Sequence, residues 1–131
     1  MNSVVHFEIL ADDPVRAMDF YRGVFGWRFE DYRDFVGSPY WGVITKDESG
    51  AGIDGGLMGR QGPAAPAGAS PTGFVCTVEV ADFDATAETI KALGGAEKTP
   101  KYALTGMAWQ GYFTDTEGNL FGIHQPDRSA R

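Results

Sequence analysis

The sequence predicts an α+β fold of two βαβββ modules forming a curved mixed sheet around a pocket, and three observations carry that expectation. An alternating apolar strand runs into a capped, amphipathic helix twice. The two occurrences register at a constant offset, which maps Asp13 to Asp82, Val24 to Leu93 and Gly26 to Gly95. Between them lies QGPAAPAGASPT, residues 61–72, a Pro/Ala/Gly/Ser stretch that reads as a linker. The chain has 131 residues, the size of one domain, so residues 1–131 are expected as a single domain with module one at 1–60 and module two at 73–131.

The first strand is VVHFEIL, residues 4–10. Alternation puts Val5, Phe7 and Ile9 on one face and Val4, His6, Glu8 and Leu10 on the other. The helix that follows has Asp13 as N-cap, Pro14 at its first position and Gly26 at its end. Ala17, Phe20, Tyr21 and Val24 recur at helical spacing as its buried stripe. WRFEDYRDF, YWGVITKD and GIDGGLMGR then read as three strands separated by turn residues. Trp27 is expected to close the helix onto its sheet.

The second module repeats the plan. GFVCTVEV is the strand, Asp82 caps the helix, Phe83, Ala87, Ile90 and Leu93 line one side of it, and Gly94-Gly95 end it. EKTPKYAL, MAWQGYFTD and NLFGIHQ are the remaining strands, with Gly118-Asn119 supplying the last hairpin turn. A four-stranded sheet with one helix leaves a second face uncovered. Val5, Phe7 and Ile9, with Phe74, Cys76 and Val78, are therefore expected to face the helices and form the cores. The opposite faces are expected to enclose the pocket.

Composition narrows the function. The net charge is −7, and no Lys/Arg cluster offsets it, which argues against nucleic acid and anionic membrane as partners. Cys76 is the single cysteine, so no internal disulfide is expected and a buried, inert thiol is. No secretory leader pattern and no long apolar run is present, which points to a cytoplasmic protein. Neither a nucleophile–histidine constellation nor a phosphate-binding glycine motif stands out.

HFEILADDPVRAMDFYRGVFGW, GGLM and GMAWQGYFTDTEGNLFGIHQP resemble the vicinal oxygen chelate superfamily, which includes glyoxalase I, bleomycin-resistance proteins and extradiol dioxygenases, and most of all its small lactoylglutathione-lyase-related bacterial members. The resemblance implies paired modules, a homodimer and a small-molecule ligand. In metal-dependent members the first strand of each module gives a His or similar ligand and the last strand a Glu, and the bound metal holds two substrate oxygens. His6 matches the first ligand position. Its repeat counterpart is Val75, and the last-strand Glu position falls at Gly122. The implied reading is a protein that binds a small apolar or aromatic molecule with a degenerate metal site. The alternative is a metal-dependent lyase, isomerase or dioxygenase using His6 with Glu8, Asp54 or His124, and Zn, Ni, Fe or Mn as the ion. In that alternative His6 and His124 are the candidate metal ligands; otherwise they are polar pocket walls. Trp41, Met58, Trp109 and Phe121 complete the candidate pocket as apolar lining. Trp109 and Tyr112 have opposite parity, so one regular strand would not turn both toward it.

Overall fold

The computed structural model describes residues 3–71 and 73–131. Thr72, inside the expected linker, lies outside the described residues. The chain divides into two compact units, Met1–Ala64 and Ala65–Arg131.

The first unit runs β1 (Glu8–Ala11), α1 (Pro14–Phe25), β2 (Arg28–Asp31), α2 (Arg33–Val36), β3 (Trp41–Ile44) and β4 (Gly55–Gly59). Its sheet has the order β1-β4-β3-β2, with β1 and β4 parallel and the other pairs antiparallel. Helix α1 starts where the Asp13 carboxylate accepts the Arg16 N–H, and ends at Gly26, whose left-handed φ of 72° turns its own N–H onto the Arg22 carbonyl. One helical face buries Ala17, Met18, Phe20 and Tyr21. Ala11, Val43 and Leu57 meet Ala17 and Met18 in the core, with Phe7, Ile9, Trp27, Phe29 and Trp41 packed around them. Trp27 stacks on Tyr21 with centroids 5.2 Å apart, which pins the helix end to the sheet.

The second unit runs β5 (Thr77–Glu79), α3 (Phe83–Ala92), β6 (Ala96–Glu97), β7 (Tyr102–Leu104), β8 (Ala108–Thr114) and β9 (Leu120–Pro126). The order is β5-β9-β8-β6, with β7 also on β8; β5 and β9 are parallel, as β1 and β4 are. The Asp82 carboxylate caps α3 through the Ala85 N–H. Phe83, Ala87 and Ile90 pack with Phe113, Phe121 and Ile123 as buried core. In the β8–β9 hairpin the Asp115 carboxylate accepts the N–H groups of Glu117 and Asn119, and Gly118 takes a φ of 82°.

Four expectations are corrected. The strand expected over WRFEDYRDF stops at Asp31, because the Asp31 carboxylate accepts the Arg33 N–H and starts the turn of α2. EKTPKYAL splits into β6 and β7, because Pro100 has no N–H and the N–H groups of Lys98 and Thr99 both converge on the Tyr112 carbonyl as a bulge. Val5 and Phe74 are exposed, Phe74 completely, and so is Cys76, so these three are not core. Sheet pairing begins only at the carbonyls of Phe7 and Cys76, which accept from Gly56 and Gly122; residues upstream lie beyond the partner strands. Finally, Gly94 takes the left-handed φ of 98° that ends α3, while Leu93 is its exposed C-cap. Gly95 serves packing instead: an added Cβ would stand 2.6 Å from Ile90 Cγ2.

Candidate functional site

In each unit one sheet face carries the helix and the other carries the polar side chains. On the open face of the first unit the strand register lines up one row straight across the sheet: Glu8, Gly56, Gly42 and Glu30. The two central members have no side chains. Leu10 and Met58 pair in the next row, and the Tyr32 N–H donates to the Tyr40 carbonyl at 2.8 Å, which extends that row across β3 and β2. Both tyrosine rings lean over the glycines. A Cβ on Gly42 would lie 2.4 Å from Tyr32 Cε2, and one on Gly56 would lie 1.8 Å from the Tyr40 oxygen. Glycine is required at both positions for the rings to occupy that space.

The hydroxyls are tied to carboxylates. Tyr40 O–H donates to Glu8 Oε2 at 2.7 Å, and Tyr32 O–H donates to Glu30 Oε2 at 2.7 Å. Since the one Tyr40 proton goes to Glu8, its oxygen accepts from His6 Nε2–H at 2.9 Å. His6 Nε2 lies 4.0 Å from Glu8. Partial burial, helped by the Glu8 hydrogen bond and charge, pushes the Tyr40 phenol up to about 12. The Tyr32 phenol is raised chiefly by its hydrogen bond to Glu30.

The second unit repeats the register with other side chains. Thr77, Gly122 and Tyr112 form the matching row, and Glu79, His124, Gln110 and Tyr102 the next. His124 Nδ1–H donates to Gln110 Oε1 at 3.0 Å. Over Gly122 the space is bounded by Thr77 Oγ1, Gln110 Nε2 and Tyr112 Cε1, at 2.8, 3.0 and 3.1 Å from an added Cβ.

The residues singled out in the sequence distribute unevenly. His6, Glu8 and Met58 share the open face of the first sheet, and His124 lies on that of the second. Asp54 anchors the β3–β4 connection by accepting the N–H groups of Thr45 and Lys46 at 2.8 and 2.9 Å, and the Lys46 bond leads the effects that hold its carboxyl below the usual range. Trp41, Trp109 and Phe121 stand on the helix side, unlike the expectation. Trp41 packs on the first core. Trp109 Nε1–H donates to Asp127 with the Lys101 ammonium 4.6 Å over its ring, and Phe121 is buried against Phe113. Their strand parity was visible, but the identity of the face was not. Tyr40 and Tyr32 were missed; alternation does place Tyr40 with Gly42 and Tyr32 with Glu30, which was the signal available.

Residues 3–123 match the model of the Glyoxalase/Bleomycin resistance protein/Dioxygenase superfamily. The chain belongs to that superfamily. No curated protein matches it. Among solved structures it resembles the fosfomycin resistance protein FosX from Listeria monocytogenes, at 19% identity and a TM-score of 0.70 over 97% of this chain and 95% of that one. A glyoxalase/bleomycin resistance protein/dioxygenase family enzyme from Burkholderia phytofirmans PsJN is similar at 19% identity and 0.70, over 93% of this chain and 97% of that one. TioX from Micromonospora sp. ML1 follows at 22% and 0.65, over 96% of this chain and all of that one. These likenesses are to the fold, which is α+β with two mixed sheets.

Superfamily members bind divalent metals; one FosX structure is a complex with Mn(II) and 1S,2S-dihydroxypropylphosphonic acid. The residues here do not fit such an ion. Gly56 and Gly122, at the same register in the two sheets, offer no donor. Tyr40 fills the space over Gly56 and engages Nε2 of His6. Asp54 is spent on backbone N–H groups. Among the described residues no three His, Cys, Asp or Glu side chains come together as a metal-holding group. No helix among them is long and apolar enough to cross a membrane.

Proposed function

We propose that the protein is a small-molecule-binding member of its superfamily in which hydrogen-bonding side chains have taken over the place of a metal. The observation that carries this is the Tyr40 hydroxyl, seated over Gly56 and joined to both His6 and Glu8. A ligand on this face meets phenol rings, a histidine and two carboxylates, a set suited to an aromatic molecule with polar substituents. His124 with Gln110 is the polar counterpart in the second unit. We further propose a cytoplasmic homodimer. β1 and β5 stand at the ends of their sheets, and the exposed Val4, Val5 and Phe74 lie just upstream of them. Apolar residues beside a sheet end suit coverage by another chain. Light scattering should then give twice 14.1 kDa.

Metal analysis of the purified protein, followed by melting with added Zn, Ni, Fe or Mn, tests the central reading. An ion that binds the folded chain alone raises the melting temperature by mass action. We expect no stoichiometric metal and no rise. One tightly held ion per chain, lost in His6→Ala, would instead establish the metal-dependent alternative.

A further inference from the structure

The row Glu8–Gly56–Gly42–Glu30 spans all four strands of the first sheet. Strand spacing makes it about 14 Å wide. Its ends are carboxylates and its middle is floored by glycine backbone. Tyr32 and Tyr40 lie over that floor, each with its hydroxyl turned to the carboxylate on its own side. Phe35, 88% exposed, stands edge-on to Tyr32 at 6.1 Å and extends the aromatic surface.

The charge on this face is not neutralised from within. No Lys or Arg among the described residues forms an ion pair with Glu8 or Glu30; Glu8 has only the imidazole of His6 at 4.0 Å. Arg28, on the same face, acts on Asp54. Each carboxylate receives one phenol proton and keeps further acceptor capacity. Aromatic rings present negative π faces, and cations are attracted to them. Rings and carboxylates together favour positive charge and disfavour negative charge.

We propose that this face selects planar aromatic cations, with the ligand's ring against Tyr32 and Tyr40 and its positive group at Glu8 or Glu30. The assignment rests on the small-molecule-binding reading above and adds the sign of the ligand's charge. Neutral aromatics bind the same rings without the carboxylates. Aromatic anions are repelled by both ends of the row.

Three fluorescent probes with one ring system test it: aminomethyl-anthracene, a cation at neutral pH, hydroxymethyl-anthracene and anthracene carboxylate. In a fluorescence titration of the full chain the cation should bind about tenfold more tightly than the alcohol, and the carboxylate weakest. Glu8→Gln and Glu30→Gln should each erode the cation's advantage by about threefold or more while leaving the alcohol's affinity unchanged. Tyr32→Leu should weaken cation and alcohol alike, and the control Glu88→Gln on exposed α3 should alter neither. Both glutamates are exposed, so the amide variants should melt like the parent, and circular dichroism checks this. Equal affinity for the three probes, preference for the carboxylate, or a cation advantage that survives in the double amide variant overturns the charge assignment while small-molecule binding stands. Binding of none of the three, alone or with added metal, overturns both.

Discussion

The two open sheet faces share a backbone plan and diverge in what covers it. Gly56 faces Glu8 across a parallel pair, and Gly122 faces Thr77 in the same way. In the second unit the neighbour of that glycine on the next strand is Tyr112, whose own ring helps fill the space. In the first unit the neighbour is a second glycine, Gly42. Two adjacent glycines leave a gap two strands wide, and Tyr32 and Tyr40 lean in from the next row to close it. The repeat has thus preserved register, which the whole sheet depends on, while the chemistry above one row has changed from hydroxyl and amide to phenol and carboxylate.

The sharpest way to break this comparison is to give Gly56 a side chain. The added carbon would need the space of the Tyr40 oxygen and would eject a ring that holds two hydrogen bonds. Gly56→Ala should cost about 2 kcal/mol in urea unfolding, the scale of overpacking a fitted site. In a Tyr40→Ala background the same change should cost well under half as much, a coupling that a double-mutant cycle reads directly. Additive losses would mean that the ring does not depend on the glycine.

Gly122→Ala should be milder, about 1 kcal/mol, since the nearest atoms are the ends of the Thr77 and Gln110 side chains and can swing aside. A loss equal to that at Gly56 would erase the distinction between the faces. The helix caps, by contrast, should behave alike in both units. Asp13→Ala and Asp82→Ala each remove one carboxylate bond to a helix-start N–H, and each should cost about 1 kcal/mol.

Those caps were also the most legible part of the sequence. Asp13, Pro14, Gly26 and Asp82 act through local backbone bonds, so spacing alone locates them. The offset between repeats likewise revealed the paired βαβββ plan. The site was less legible because it depends on pairing between distant strands. Alternation separated Trp41 from Tyr40 and Phe121 from Gly122, but nothing local said which of each pair met the helix. Asp54 reads as a carboxylate in a strand; only the course of the β3–β4 connection shows it held by Thr45 and Lys46. The Glu–Gly–Gly–Glu row exists only once three strand registers are known.

The smallest effect separates the two phenols of that row. Tyr40 is raised to about 12 mainly by burial, with Glu8 second, whereas Tyr32 is raised first by its bond to Glu30. Ultraviolet titration of tyrosinate, assigned by Tyr40→Phe and Tyr32→Phe, should therefore respond unequally to loss of charge. Glu30→Gln should return Tyr32 close to the ordinary value, while Glu8→Gln should lower Tyr40 only part of the way. A raised folded-state value means that the folded chain holds its proton more tightly than the unfolded chain does. The stability contributed by Tyr40 is then complete below pH 10 and is lost as pH rises toward 12. Tyr40→Phe should flatten that alkaline decline. If Glu8→Gln instead brought Tyr40 all the way down, the ring would be held by charge rather than by its seat over Gly56, and the two phenols would be equivalent.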